Sequence, residues 1–357
     1  MTTQPALRSK PRSADSSRPG LALPSTRSGS GFPGRGPGTA IGEGPAEDGR
    51  IDTYYDQPAL KASFWGWKVS TYMVIGGIAG SAQIIATAAD LAGAPQHRAI
   101  VRNGRYLALA GAAIGAPLLI ADLHTPQRFY NMLRIFRPTS PMSIGTYVLL
   151  GFGGLSAMLA AAQLRRDLSA NYAPGHTAPR FVQLPAAALG AAMSTYTGAL
   201  LAATSTPLWA AAPRLLPALF GASAMASAAA ALSLTARGLG GEPLGRIEAM
   251  ASAVELCLLT ALRRRLRQEG VRTSFAAAPL WLTAAAPVLR EAAKALDVTG
   301  NTAAMNGAVT ARRSALFGTA SAVAVLAGAF LLRHAILRSG NRSAEQPRDY
   351  FRLARPR

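Results

Sequence analysis

The feature that most limits how this chain can fold is a series of long apolar blocks, separated by short charged or Pro/Gly-rich stretches. Several blocks reach the roughly 18 to 20 residues that a helix needs to cross the hydrocarbon core of a bilayer. Because lipid offers no hydrogen-bond partners, each block must satisfy its own backbone groups, which favours helices. Charged residues make up 15% of the sequence, below the roughly 25% of soluble domains. The blocks therefore predict an all-α, polytopic transmembrane helix bundle.

About eight transmembrane helices are predicted. The sixth is short and carries two glutamates, and the seventh contains two prolines. Residues 1–50 are rich in Ser, Pro, Gly and Arg, a composition that predicts a disordered tail. The bundle is expected to span residues 51–335, and residues 336–357 to form a basic C-terminal tail. The predicted helices are residues 68–90, 104–121, 144–163, 186–206, 215–235, 247–262, 276–296 and 315–332.

The formal net charge of +20 does not indicate a nucleic-acid-binding protein. Lys and Arg lie in the tails and between the apolar blocks, which is typical of the ends of membrane helices. We expect the lipid bilayer as a partner of this chain, and no nucleic acid. When basic residues are assigned to the two sides of the membrane, Arg105, at the start of the second predicted helix, counts with the side opposite the termini. Arg333, just after the eighth predicted helix, counts with the side of the termini. More basic residues fall on the side of the termini than on the opposite side, which predicts that both termini are cytoplasmic.

The metal-ligating residues are few. An iron–sulfur cluster usually needs four Cys ligands, and the chain has only Cys257. A haem held across a bundle needs histidines inside facing helices, whereas His97, His124, His176 and His334 lie outside the apolar blocks or at their ends. We therefore expect no haem and no iron–sulfur cluster in this chain. If the protein transfers electrons, its metal centres belong to a partner.

The connection between the second and third predicted helices, residues 122–145, has the most unusual chemistry. It reads DLHTPQRFYNMLRIFRPTSPMSIG and mixes acid, base, aromatic and amide groups at a membrane boundary. Aromatic rings can flank a flat quinone head, and Asp122, His124, Tyr130 or Asn131 could bond its carbonyls. The loop equally fits an amphipathic segment that lies on the lipid surface with its arginines at phosphates. Composition alone does not separate these two interpretations.

The same loop carries a family resemblance. The pattern D-L-x-x-P-x-R-F-x-N-M-L-R-x-F-x-x-x-S-P-M-S-x-G resembles the signature loop of the polysulfide-reductase/NrfD family of membrane subunits. Residues 65–80, with Trp65-Gly-Trp67, Tyr72 and two glycines, resemble that family's first helix. Residues 196–220 resemble its fourth and fifth helices. The resemblance covers roughly residues 52–335.

The resemblance implies a subunit of a bacterial inner-membrane oxidoreductase that binds quinone or quinol, either menaquinone or ubiquinone. Its implied partners are a ferredoxin-like iron–sulfur subunit and, through it, a molybdopterin or similar catalytic subunit. A quinone-site tyrosine of the family matches Tyr196. Some members carry a His/Asn pair early in the first helix, where this chain has Trp67 and Ser70–Thr71. We expect a quinone site formed by Tyr196, Asp122, Tyr130, Asn131, Trp67 and Tyr72, with the partner docking at Arg128, Arg134 and Arg137.

Acidic residues inside apolar blocks are the second place for chemistry, because a charge within the bilayer is costly and often marks a proton or substrate path. Glu255 lies deepest, and Glu248 lies two turns below it on the same helix face. Both are candidates for a proton path. Glu248 also fits, like Asp90 and Asp297, a helix-end carboxylate in water. Two other functions remain open: an ion- or proton-translocating transporter-like subunit, and a membrane anchor without quinone chemistry.

Overall fold

The computed structural model describes residues 60–123, 125–169, 180–235, 241–271, 292, 295 and 307–346. These residues form helices and connecting turns, with no strand among them, which confirms the all-α prediction. Two 3₁₀ turns, Pro95–His97 and Pro126–Arg128, precede helices. The α-helices are α1 Trp67–Ala92, α2 Arg98–Ala121, α3 Tyr130–Arg134, α4 Pro141–Leu168, α5 Arg180–Ala202, α6 Pro207–Ala210, α7 Leu215–Thr235, α8 Gly241–Gln268 and α9 Gly307–Glu345.

Six helical segments in the described residues are long and apolar enough to cross a membrane, so the protein is a multi-pass membrane protein. Helix α8 matches the predicted sixth helix, but it is not among these six segments. The predicted tail at residues 1–50 lies outside the described residues, as do Asp297 and nearly all of the predicted helix at 276–296. The six segments are α1, Pro95–Ala121, α4, α5, α7 and Leu316–Glu345.

Two helices extend further than their apolar blocks predict. Helix α2 begins at Arg98 rather than at residue 104, and α9 continues to Glu345 rather than ending at residue 332. The predicted ends were placed where charges appear, but Arg105 and Arg333 are both buried within these helices. Their assignment to the two surfaces of the membrane is therefore wrong. His334 likewise lies inside α9, where its Nδ1 is 3.2 Å from Ser70 Oγ of α1.

Helix α1 occupies the centre of the bundle and packs against α2, α5, α7 and α9. Small residues permit the closest approaches. A Cβ added at Gly80 would overlap the carbonyl oxygen of Gly190 in α5, and one added at Gly111 would lie 2.6 Å from Ala79 Cβ. Such contacts between glycine-bearing faces are a common way for membrane helices to pack. They hold the middle of α1 close to α2 and α5.

The segment leading into α1 is fixed by contacts with α6 and α9. The Trp65 and Trp209 rings stack with centroids 6.0 Å apart, and the Trp209 indole donates to the Ile336 carbonyl at 3.0 Å. Ser63 Oγ donates to Asn341 Oδ1 at 2.7 Å. These contacts hold the Trp65 ring in place at the end of the bundle where α1 begins.

Candidate functional site

A cavity of about 170 Å³ lies where α1 begins, α2 ends and α4 begins, with α5 on its remaining side. Two of the predicted quinone-site residues, Tyr72 and Asp122, line it. Apolar and aromatic side chains form most of the rest of the wall. This head-group cavity is lined by Phe64, Trp65, Val69, Tyr72, Met73, Leu119, Asp122, Leu123, Thr125, Met142, Thr197 and Leu200.

Tyr72 is held rigidly at the cavity wall. Its side chain is 5% exposed, and a Cβ added at Gly115 of α2 would lie 3.4 Å from Tyr72 Cδ2. Gly115, which lies four residues after Gly111 in GxxxG spacing, therefore makes room for this ring. Asp122 follows α2 directly as its C-cap residue. The cavity thus places a fixed phenol and a carboxylate close to an indole.

Tyr196 lies beside this cavity rather than in its wall. Its hydroxyl donates to the Pro141 carbonyl at 2.7 Å, and a Cβ added at Gly145 would overlap its ring. The phenol is also near enough to Tyr72 for an electrostatic interaction. Because its proton is already engaged, Tyr196 holds the first turn of α4 in place, and Tyr72 is the phenol that faces the cavity.

The other predicted site residues are not brought into the cavity. Trp67 is 61% exposed and Tyr130 is 56% exposed, and Asn131 is exposed as well. All three lie on the surface and are absent from the lining of the head-group cavity. Trp65 takes the place that the sequence suggested for Trp67. Trp65 precedes α1, and its contact with Trp209 fixes the ring, so helical spacing in the sequence gives no signal that distinguishes it from Trp67.

The signature loop is anchored on α4. Tyr147 donates to the Leu133 carbonyl at 2.8 Å, and the Phe136 ring packs edge-on against Tyr147 with centroids 4.9 Å apart. The Arg137 backbone N–H donates to Ser143 Oγ at 3.0 Å. The loop is therefore an ordered surface. The arginines predicted to dock a partner are all exposed on it: Arg128, Arg134 and Arg137.

A second, larger cavity of about 360 Å³ lies between α2, α3 and α4. Small residues of α2 and α4 form its floor, and side chains of the signature loop cover one end. Its lining is apolar apart from Thr146. This apolar groove is lined by Leu109, Ala112, Ala113, Ala116, Leu119, Ile120, Leu123, Phe129, Met132, Leu133, Thr146, Leu149, Leu150, Gly153 and Gly154.

A buried ion pair joins α1 and α2 at the other end of α1. Arg105 is fully buried, and its Nη2 lies 3.1 Å from Asp90 Oδ2. Arg105 Nη1 donates to Gln163 Oε1 at 3.1 Å, and Gln183 Nε2 donates to Asp90 Oδ2 at 2.6 Å. The network continues through Gln163 to Asp167 at the surface. The interpretation of Asp90 as a solvated helix-end carboxylate is therefore wrong.

A second group of buried charges lies between α7, α8 and α9. Glu255 and Arg333 are 3% and 1% exposed, which confirms that Glu255 lies inside the bundle. Arg333 donates to Ser223 Oγ at 3.0 Å and to the Phe220 carbonyl at 3.1 Å. Glu255 interacts with the same serine, but its Oε1 has no hydrogen-bond partner among the described residues.

Glu248 is buried too, at 2% exposure, and accepts a hydrogen bond from Ser321 Oγ of α9 at 3.1 Å. The interpretation of Glu248 as a solvated helix-end residue is therefore wrong, and its alternative, an acid inside the bundle, agrees with the structure. Sequence reasoning missed Arg333 altogether. The signal that could have found it is the apolar pattern, which continues past Arg333 through Ile336 and Leu337.

These features define a class of protein: a multi-pass helix bundle with a partly polar cavity at one end and buried charges within. A family model described as Polysulphide reductase, NrfD matches residues 58–343, and the chain belongs to this family, as the signature loop predicted. Its members are membrane subunits of quinone-linked oxidoreductases, which typically work with iron–sulfur and catalytic subunits. A comparison with curated proteins finds no match.

Proposed function

We propose that the protein is the quinone- or quinol-binding membrane subunit of a multi-subunit oxidoreductase. It exchanges electrons with a ferredoxin-like iron–sulfur subunit, which connects it to a molybdopterin or similar catalytic subunit. The observation that carries this proposal is the head-group cavity, where Trp65, Tyr72 and Asp122 meet within an otherwise apolar wall.

The residues of this cavity suit the chemistry of a quinone. Reduction to quinol adds two electrons and two protons, and the carbonyl oxygens gain negative charge as the electrons arrive. The Tyr72 hydroxyl can donate a hydrogen bond to one such oxygen and stabilise that charge. Asp122 can pass protons to the oxygens, or accept them when quinol is oxidised. The Trp65 ring can pack against the flat head.

The electron partner is proposed to dock on the signature loop. Its three exposed arginines form a basic surface next to the head-group cavity, and Leu123 of the loop lines that cavity. An acidic face of an iron–sulfur subunit would complement this charge. Docking there would bring the donor cluster close to the quinone without placing a metal ligand in this chain.

Orientation and proton supply complete the proposal. We propose a bacterial inner membrane as the location, with both termini in the cytoplasm. The side of the termini carries more Lys and Arg than the opposite side, as expected for the cytoplasmic side. Burial of Arg105 and Arg333 removes one arginine from each side and leaves this excess unchanged. Glu255 and Glu248 are proposed to lie on a path for protons, since both are buried acids that face α9 or α7.

The test compares phenols inside and outside the cavity. Tyr72→Phe and Asp122→Asn should each lower quinone-dependent turnover of the assembled complex by roughly ten- to a hundred-fold, the effect of losing a hydrogen bond to a charged group. Tyr130→Phe removes an exposed phenol that does not line the cavity, so turnover should stay within about twofold of the unchanged protein. Tyr196→Phe should give a smaller loss than Tyr72→Phe, because its hydroxyl binds Pro141.

Quinone content of the purified full-length chain is measured alongside. Retained turnover and quinone content in both Tyr72→Phe and Asp122→Asn would contradict the cavity as the site. A loss confined to Tyr130→Phe would favour a site on the signature loop instead. If the unchanged protein binds no quinone at all, the chain is an anchor or a transporter-like subunit, and flux across liposomes would distinguish these two.

A further inference from the structure

The apolar groove adjoins the head-group cavity. Leu119 at the end of α2 and Leu123 just after it line both. These two leucines thus border both the space beside Tyr72 and Asp122 and the space between α2 and α4. A molecule with a polar head in the first cavity could therefore extend past these leucines into the second.

The chemistry of the two spaces differs sharply. The head-group cavity offers a phenol, a carboxylate and an indole, whereas the apolar groove offers alkyl and aromatic side chains and a single threonine. The groove is also the larger of the two, at about 360 Å³. This combination suits a molecule with a small, flat, hydrogen-bonding head and a long hydrocarbon chain.

Building on the proposed function, we propose that the apolar groove binds the isoprenoid tail of the quinone whose head occupies the neighbouring cavity. A phospholipid acyl chain is the competing occupant, since it shares the hydrocarbon chemistry. The quinone tail is the proposed occupant because Leu119 and Leu123 line both spaces, so a chain in the groove can join a head in the cavity of Trp65, Tyr72 and Asp122. The phospholipid is an outcome of the test.

The floor of the groove permits a clean test. A Cβ added at Gly153 of α4 would meet only Ala112 Cβ, at 4.0 Å, which is ordinary contact. Gly153 also lines the groove, so the Cβ of Gly153→Phe has room between the helices and its ring is expected to fill the groove. The matched control is Gly318→Phe in α9, where an added Cβ meets nothing within 4 Å. Both changes replace a helical glycine by the same residue, so they alter helix propensity equally.

The experiment measures binding of two naphthoquinones to the full-length chain in lipid nanodiscs. One has only methyl substituents, and the other carries several isoprene units with a photoreactive group in the first unit. A ubiquinone-type pair is run in parallel. Gly153→Phe should weaken binding of the tailed compound by roughly tenfold or more, the scale of discrimination in apolar pockets, and leave the tailless compound unaffected. Gly318→Phe should change neither. Photolabelling of the unchanged protein should fall on α2 and α4.

The outcomes separate the inference from the proposed function. The groove does not hold the tail if tailless quinones bind but labelling falls elsewhere, or if Gly153→Phe still binds the tailed compound more tightly than the tailless one. In either case the head-group cavity remains the proposed quinone site. Labelling of α2 and α4 that an excess of tailless quinone leaves unchanged would show that the tail binds without its head in the cavity, and would assign the groove to a lipid chain. If no quinone binds at all, the proposed function fails and the groove loses its proposed ligand with it.

Discussion

Two arginines are buried in the same bundle, but their guanidinium groups are bound by different kinds of partner. Arg105, near the end of α1, contacts its counter-ion directly at 3.1 Å, and glutamines from two further helices complete the group. Arg333 of α9 lies beside the middle of α1, close to Gly77. Its donors bind a serine hydroxyl and backbone carbonyls. Glu255 acts on Arg333 electrostatically, but the two form no direct salt bridge in the described part of the chain.

This difference indicates two roles. A guanidinium does not lose its proton in proteins, so Arg105 needs the counter-ion that Asp90 supplies in the interior. That pair is a fixed structural contact between helices. Glu255 is held less tightly, because it acts on Arg333 without a direct ion pair, while the Arg333 donors bind Ser223 and the Phe220 carbonyl. A carboxyl group that can change its charge without breaking an ion pair is suited to carry protons. Residues 77 and 90 of α1 are about 20 Å apart along the helix, so the two groups lie at different depths.

The largest expected effect is on the fixed pair. Asp90→Asn keeps the size of the side chain but leaves the Arg105 charge buried without its counter-ion. Breaking a buried pair in this way costs about 3–5 kcal/mol, and we expect the free energy of unfolding in detergent to fall by that amount. Denaturant unfolding followed by helical circular dichroism measures it.

Asp167→Asn is the matched control for this prediction. Asp167 belongs to the same network, where it accepts from Tyr106 at 2.7 Å and from Gln163 at 2.9 Å, but it is exposed. Its neutralisation should cost less than about 1 kcal/mol. If both variants lose the same free energy of unfolding, the buried Arg105–Asp90 pair stabilises the fold no more than an exposed contact does. The proposed difference between the roles of Arg105 and Arg333 would then be contradicted.

The fold was largely predictable, because burial in lipid imposes length and apolarity on each helix. The blocks at 68–90, 144–163 and 215–235 all coincide with long helices of the structure. Gly76 and Gly80, and Gly111 and Gly115, have GxxxG spacing, which is typical of close helix packing, and Gly80 and Gly111 do lie against neighbouring helices. Each of these signals lies within one short stretch of sequence. The bilayer strengthens them, because every spanning helix must be long and apolar.

The buried arginines could not be placed from sequence for a physical reason. A charge normally marks the end of a membrane helix, and Arg105 and Arg333 violate that rule because partners on other helices satisfy them. Those partners are distant in the chain: Gln163 and Ser223 are ordinary polar residues in apolar blocks. Only the folded arrangement shows that they face an arginine.

The candidate site was predicted in part. Tyr72 and Asp122 do line one cavity, because the end of α2 and the start of α1 are neighbours in an antiparallel helix pair. The role of Tyr196 stays a prediction, and its contact with Pro141 depends on how α4 enters the bundle. Loop residues such as Tyr130 carry suitable chemistry, but their direction is set by anchoring contacts that the sequence does not reveal.

An intermediate effect is expected at Arg333. Arg333→Leu removes the donors that bind Ser223 and the Phe220 carbonyl, and unsatisfied buried acceptors cost about 2 kcal/mol. The loss should be smaller than for Asp90→Asn, because Glu255 can take up a proton when its neighbouring cation is removed. Arg338→Leu, one of the exposed positions of the same helix, controls for the loss of an arginine from α9. A loss in Arg333→Leu as large as in Asp90→Asn would mean that Glu255 cannot be neutralised.

The smallest effect on stability, and the most informative on function, is expected for Glu255→Gln. Its Oε1 has no hydrogen-bond partner among the described residues, so the isosteric amide should change the free energy of unfolding by less than about 1 kcal/mol. If Glu255 lies on the proton path, turnover with quinone in closed vesicles should fall about tenfold or more, since an amide cannot carry the proton. Quinone content should be unaffected.

Glu242→Gln provides the control, because Glu242 lies on the same helix in an exposed pair with Arg246. It should alter neither stability nor turnover measurably. Turnover is followed together with a pH-sensitive dye inside the vesicles, so that electron transfer and proton movement are recorded separately. A Glu255→Gln variant that turns over normally but unfolds as easily as Asp90→Asn would reverse the assignment. Glu255 would then be a fixed structural charge like Asp90, and the protons of quinone chemistry would reach Asp122 directly from the membrane surface.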